Sequence, residues 1–379
     1  MLTCEIHYAQ KNKAGEEVCG DTIKYKKSEL KTVVSVSDGL GSGIKASILS
    51  TLTASMSTTM VFNNIPIDEV FRSIISTLPT CKVRGISYAT LATCYVDHQS
   101  GQCDIYEYDF PVVLIYRNDS IFDVEKKLLE IEGRKVYRSS FTSQPGDILF
   151  LMTDGITQAG MGTKRFPFGF GIENVKMELK NLLKHKVDLR SIMQHLVRLA
   201  EALDTGTKGD DATVCAIKIR EQRNLTIMVG PPEKKEHDEI VVRKLVESNG
   251  KKVICGGTTS QIVEKILGQK VEIDFSSISP ISPPIGYMEG IDLVTEGIIT
   301  LTQVFRYYES QTEEIGIGAQ KLIDMLEEAD VITFLVGRAI NPAHQNPLFS
   351  HDISLKFRLI HDIGLILQKR GKIVNIEYY

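Results

Sequence analysis

Three runs of β-branched and apolar residues meet an aspartate in a tight turn, and they lie far apart in the first 220 residues. Thr32-Val33-Val34-Ser35-Val36-Ser37 stops at Asp38-Gly39-Leu40-Gly41-Ser42-Gly43. Ile148-Leu149-Phe150-Leu151-Met152 stops at Thr153-Asp154-Gly155, and Gly209-Asp210-Asp211 opens the run Ala212 to Ile219. Runs of this kind read as strands. Each turn alone has an ordinary explanation, because Asp caps turns and Gly supplies positive φ. Together they require strands from distant parts of the chain to pair. That requirement points to a strand-rich α+β domain.

The segments between these turns fit that class. Ile44 to Val61 contains no Gly or Pro and reads as a helix whose many small residues suit close packing. A second helix is expected over Ile67 to Thr77, with Asp68 and Glu69 near its positive N-terminal end. Strands are expected at Tyr88 to Asp97, Gln102 to Tyr108 and Pro111 to Arg117, joined by short polar links as antiparallel hairpins or a meander. Ile172 to Leu183 and Leu189 to Leu203 carry helical patterns, and Thr205 to Asp211 reads as a loop.

A seam falls near Glu221-Gln222-Arg223-Asn224, dividing a domain at 1–222 from another at 225–379. Beyond it strands and helices alternate: a strand at Leu225 to Val229, a helix at Glu233 to Ser248, a strand at Lys252 to Cys255, and a helix at Gln261 to Leu267. This succession predicts a smaller α/β domain with a mainly parallel sheet. Further strands are expected at Ile291 to Val294 and Val331 to Val336.

Composition narrows the class. Residues 1–220 carry 27 basic and 26 acidic side chains and the remainder 17 and 22, so neither half has the basic excess of a nucleic-acid binder. No apolar run is long enough to span a membrane, and Met1 to His7 has no export-signal pattern. Seven cysteines without a Cys-x-x-Cys pair suit reduced thiols in a cytoplasmic protein better than disulfides or structural zinc.

Taken in order, Gly20-Asp21, Asp38-Gly39-x-Gly-Ser-Gly, Thr153-Asp154-Gly155 and Gly209-Asp210-Asp211-Ala212-Thr213 resemble the metal-dependent protein phosphatase (PPM) superfamily, in its bacterial SpoIIE-type branch. The resemblance covers about residues 1–220. It implies a β-sandwich of two antiparallel sheets flanked by helices, and hydrolysis of phosphoserine or phosphothreonine on a bacterial regulatory protein such as an anti-sigma-factor antagonist. It also implies two Mn or Mg ions, which carboxylates and carbonyls suit better than they suit zinc. Such a pair clamps phosphoryl oxygens and activates water. By the same resemblance Asp38 bridges both ions, Asp21 and the Gly39 carbonyl hold one, and Asp154 and Asp210 hold the other. Asp38, Asp154 and Asp210 are thus the expected catalytic set. Asp211 either orients a water at the metal site or caps the following strand.

Two departures matter. Leu40 stands where many eukaryotic relatives have a His general acid, and Asp109-Phe110-Pro111 replaces a Gly-His-Pro-type segment. The phosphate-binding cation is open, with Arg84 and Lys24 as two candidates among many. In the resembled branch the helices corresponding to Ile44–Val61 and Ile67–Thr77 act as a switch.

Residues 225–379 resemble the tail of some SpoIIE-type phosphatases of anaerobic bacteria. Gly256-Gly257-Thr258-Thr259-Ser260 follows a strand and opens a helix, so it either binds a small anionic ligand or caps the helix. It matches neither a P-loop nor a dinucleotide fingerprint. Asp292 to Gly297 is a candidate second wall of the same crevice, and Asn341 to Pro347, with His344, is a polar loop. The expectation is an active phosphatase with a sensory tail, a homodimer being left open. The competing reading is a scaffold with a vestigial site whose tail binds a ligand or partner protein.

Overall fold

The computed structural model describes residues 1–77, 89–205, 209–310, 314–339 and 350–379, with side chains from 355 in the last segment. It divides into two compact units, Met1–Glu221 and Gln222–Tyr379. Tyr88, Arg84, Cys81, Gly206 to Lys208 and the Asn341 to Pro347 loop lie outside the described residues.

The first unit runs β1 (Leu2–Lys11), β2 (Asp21–Lys27), β3 (Lys31–Gly39), α1 (Gly43–Phe62), α2 (Ile67–Thr77), β4 (Ala89–Asp97), β5 (Gln102–Tyr108) and β6 (Val112–Arg117). It continues with β7 (Ser120–Ile121), β8 (Lys126–Ile131), β9 (Arg134–Thr142), β10 (Ile148–Met152), α3 (Asp154–Thr157), α4 (Ile172–Lys184), α5 (Leu189–Leu203) and β11 (Ala212–Glu221). Two antiparallel sheets form, in the orders β1-β11-β10-β6-β7 and β2-β3-β4-β5-β9-β8. Between them lies a core in which Val34, Val36, Cys94 and Ile105 meet Leu149, Leu151, Cys215 and Ile217. Successive side chains of a strand face opposite ways, so Val33 points instead to an outer core with Val70, Phe71 and Ile74 of α2. The other sheet packs Phe150 and Val214 against Ile192, Met193 and Leu196 of α5. Each large apolar side chain fully buried contributes about 1.5–3 kcal/mol.

One expectation needs correction. β4 and β5 form a hairpin, but β5 does not pair with β6. The link through Asp109, held at φ 51°, instead carries the chain from one sheet to the other. Apolar alternation on both strands looks the same in either case.

Helix α1 packs differently from α5. Its buried positions include Ser50, Thr53, Ser57 and Thr58, while Ile44, Ile48 and Leu52 are exposed. Ser57 Oγ lies 2.6 Å from Thr93 Oγ1, and Ser50 Oγ lies 2.8 Å from Thr22 Oγ1. Hydroxyl pairs, which are directional, hold much of this interface.

The second unit runs β12 (Asn224–Val229), α6 (Asp238–Glu247), β13 (Lys251–Cys255), α7 (Gly257–Leu267), β14 (Glu272–Asp274), β15 (Ile285–Met288) and β16 (Ile291–Thr295). Then come α8 (Ile298–Tyr308), α9 (Ile317–Glu328), β17 (Val331–Val336), α10 (Ser350–Lys369) and β18 (Ile373–Tyr378). The sheet order is β14-β15-β16-β13-β12-β17-β18, parallel from β16 to β18 and antiparallel at the β14 and β15 edge. Residues of α6 and α7 pack on one face and those of α8, α9 and α10 on the other. The expected helix at 233–248 begins only at Asp238, after a 3-10 turn at Lys235–His237. The expected loop at Gly256–Ser260 is mostly the first turn of α7. Among the described residues no helix is long and apolar enough to cross a membrane.

Candidate metal centre

Strand pairing creates the site. Asp21 opens β2 and lies directly opposite Asp38 near the end of β3. Two carboxylates in register repel. Across the sandwich, β10 delivers Thr153 and Asp154, and the approach to β11 delivers Asp210 and Asp211. Thr153 joins the two sheets: its hydroxyl donates to Asp21 Oδ2 at 2.8 Å and accepts from the Thr213 amide at 2.9 Å.

Asp154 Oδ2 accepts from Gln158 Nε2 at 2.7 Å. Asp210 Oδ1 accepts from Lys13 Nζ at 3.1 Å and from the Asp211 amide at 3.0 Å. Asp211 Oδ1 accepts from the Lys13 amide at 2.9 Å. This carboxylate therefore ties down the chain after β1 rather than capping β11.

Close backbone approach explains the glycines. A Cβ on Gly39 would stand 2.2 Å from the Ala46 carbonyl oxygen of α1. A Cβ on Gly20 would stand 2.8 Å from Asp211 Oδ2. Glu16 reaches the start of α1, where Oε1 accepts from the Ser42 hydroxyl at 2.8 Å.

The electrostatics are those of crowded anions whose ion pair is Lys13 on Asp210 at the rim. Burial pushes the Asp38 carboxyl up to about 9, and Asp21, Asp154 and Asp210 add to it. Burial pushes Asp21 up to about 7, against the hydroxyls of Thr153 and Thr213, with Asp211 and Asp154 adding. Asp154 is raised by burial and then by Asp210. Asp21 Oδ1 and Asp211 Oδ2 are buried without a hydrogen-bond partner. Such orphaned oxygens fit a cation.

Among the described residues no three His, Cys, Asp or Glu side chains close around one point. The carboxylates nevertheless raise one another's affinity for protons, as like charges in proximity do. A depression of about 200 Å³ adjoins them, lined by Gly155, Gln158, Met161, Asp204 and Asp210 among others.

The structure thus gathers Asp21, Asp38, Gly39, Asp154, Asp210 and Asp211 in the first unit. Gly256, Gly257, Thr258, Thr259 and Ser260 lie in the second unit and form no part of this cluster. Lys24 is exposed along β2. Sequence reasoning missed Lys13, Glu16, Thr153 and Gln158. Only Thr153, next to Asp154, carried a local signal.

An α-β-β-α sandwich with a carboxylate cluster is the class this unit defines. The chain belongs to the SpoIIE family: the profile of Stage II sporulation protein E matches residues 28–220, just over half of its length. Among solved structures, the phosphatase domain of the cell fate determinant SpoIIE from Bacillus subtilis is similar at 24% identity and a TM-score of 0.43. The match covers 58% of this chain and 93% of that one. RsbX in complex with magnesium is similar at 17% identity and a TM-score of 0.40, covering 58% of this chain and 100% of that one. The RsbU and RsbW domains of a Mycobacterium tuberculosis protein are similar at 19% identity and a TM-score of 0.45, covering 64% and 67%. A search of the curated proteins finds no match.

Proposed function

We propose that the first unit is a metal-dependent protein serine/threonine phosphatase acting on a phosphorylated bacterial regulatory protein, and that the second is its sensory domain. The observation that carries this reading is the carboxylate set around Asp38, with Asp21 and Asp211 buried, Asp38, Asp154 and Asp210 half-buried, two orphaned oxygens and a glycine backbone beside it. Membership of the SpoIIE family supports it. So do the names of the similar structures, a SpoIIE phosphatase domain and RsbU and RsbW domains.

In this reading Asp38, Asp21, the Gly39 carbonyl, Asp154 and Asp210 would hold two Mn or Mg ions, Asp38 being common to both, Asp21 and Gly39 serving one and Asp154 and Asp210 the other. When bound, the ions supply positive charge to the phosphoryl oxygens and a nucleophilic water. The protein's own groups do the positioning. Thr153 fixes the rotamer of Asp21, Gln158 that of Asp154, and Lys13 that of Asp210. Asp211 holds the Lys13 segment in place through Oδ1, and its unpartnered Oδ2 would orient a water at the metal site. Leu40 supplies no proton, so the leaving group is not protonated from that position.

The complete carboxylate set favours an enzyme over a scaffold, because gathering these anions costs folding energy that a scaffold has no reason to retain. The test is hydrolysis of a phosphoserine peptide and of p-nitrophenyl phosphate, with and without Mn or Mg. Turnover should require the ion and stop in chelator. Undiminished turnover in excess chelator would overturn the reading.

A further inference from the structure

The second unit has a reversal in its winding. From β12 the chain builds outward through β13 to β16, then returns to the other side of β12 to add β17 and β18. Open parallel sheets hold ligands at the carboxyl ends of the strands beside such a reversal. Here those ends belong to β12 and β17, with β13 next to β12.

Two features at that edge call for an anion. The first is Lys356 of α10, only 8% exposed. Its ammonium donates to the Gly337 carbonyl, just past β17, and a Cβ on Gly230, just past β12, would stand 2.7 Å from it. The charge therefore sits at the two strand ends. Among the described residues no carboxylate pairs with it, and burying a cation so weakly compensated is costly.

The second feature is the start of α7. Gly256, at φ 120°, precedes it and donates its amide to the Thr295 carbonyl at 2.8 Å. No side chain caps the helix. The Thr259 hydroxyl is buried in the first turn without a hydrogen-bond partner. A Cβ on Gly257 would meet nothing within 4 Å, so the side of the first turn at Gly257 is open. Helix amides of this kind bind phosphate. The neighbouring Glu296 is engaged by the Ile299 amide at 2.7 Å. Asp292, expected at this crevice, is the second residue of β16, at its opposite end, and accepts from the Lys252 amide there.

We infer that the second unit binds a small phosphate-bearing ligand across the ends of β13, β12 and β17, anchored by the α7 amides and by the Lys356 ammonium. Adjacent strands are about 4.8 Å apart, so the anchors span roughly the length of a nucleotide phosphate and sugar. Ser260 takes no part, because its hydroxyl donates to the Gly257 carbonyl at 2.8 Å. The inference names the ligand class for the proposed sensory domain. It does not depend on phosphatase activity.

The test measures equilibrium binding of inorganic phosphate, pyrophosphate and AMP to the full chain by calorimetry. Excess chelator is present, so that the carboxylate cluster repels the probes. Citrate at matched ionic strength is the carboxylate control. At least one phosphate probe should bind saturably and more tightly than citrate. Lys356→Met and Gly257→Val should each weaken it at least tenfold with unchanged far-UV circular dichroism. The Gly257 change has room to fold, so it keeps the test decisive if Lys356→Met does not fold. Absence of saturable binding by all three probes would overturn the inference. So would citrate binding as tightly as the phosphates, or wild-type affinity in a folded variant.

Discussion

The two units bury charge in opposite ways. The first gathers carboxylates around Asp38 with Lys13 as a cation at one rim, whereas the second buries the single ammonium of Lys356 against a backbone carbonyl. In both cases burial disfavours the charged form. It raises Asp38 to about 9 and lowers Lys356 to about 8. The difference in sign teaches what would complete each site. Cations relieve the first and an anion relieves the second. Each site trades stability for affinity, since its ligand recovers a cost already incurred in folding.

The largest expected effect breaks the comparison on the acidic side. Asp38→Asn and Asp154→Asn should each lower metal-dependent turnover by on the order of 10² to 10³-fold or more, as loss of a central electrostatic group does. Both should remain folded, because removing one of several repelling anions relieves strain in the metal-free protein. Steady-state kinetics at saturating Mn checks this, and wild-type turnover in either variant would remove that aspartate from the site.

Next come the pH dependences, whose directions should oppose one another. A carboxyl raised in the folded state keeps its proton longer than in the unfolded chain. The contribution of Asp38 is therefore fully present below about pH 4 and is lost as pH rises toward about 9. In chelator, Asp38→Asn should match the wild type near pH 4 and melt several degrees higher near pH 8. Added Mn should reverse that order. Lys356 behaves inversely: burial holds its folded value below the ordinary lysine value of about 10.5, so stability rises from about pH 8 to about pH 10.5. The advantage of Lys356→Met over the wild type should accordingly shrink across that window. Thermal melts of the three proteins from pH 4 to pH 10.5 would show whether the two slopes oppose.

The smallest expected effect tests whether the units are separable at all. A chain ending at Glu221 should keep the basal Mn-dependent turnover unchanged, because the carboxylate cluster and its sandwich cores lie within residues 1–221. Recovery of that fragment only as aggregate would show that the two cores fold as one.

Much of the fold was legible because its signals are local. The β-branched run before Asp38, the apolar run at 148–152 and the helix at 189–203 appear in the structure where residue pattern and the Asp-Gly turns place them. Helix α1 was legible through its lack of Gly and Pro and its many Ala, Ser, Leu and Met residues rather than through an apolar stripe, since it buries hydroxyls and exposes Ile44, Ile48 and Leu52. Strand β1 was not read, because His7, Gln10 and Lys11 dilute its apolar pattern. The first turn of α7 read as a loop for a similar reason: two glycines and three hydroxyl residues favour turns until the sheet behind them fixes a helix.

By itself, then, the amino-acid sequence determined where the acidic turns fall, the strand-rich α+β class of the first unit and the alternating class of the second. These follow from side-chain periodicity and turn chemistry acting over a few residues. Tertiary structure alone decided that Asp21 faces Asp38, that Thr153 bridges the sheets, that Lys13 reaches Asp210, and that Lys356 rests between Gly230 and Gly337. Those contacts join segments up to about 200 residues apart. Strand register and sheet order set them, and neither is encoded in any one stretch of the chain.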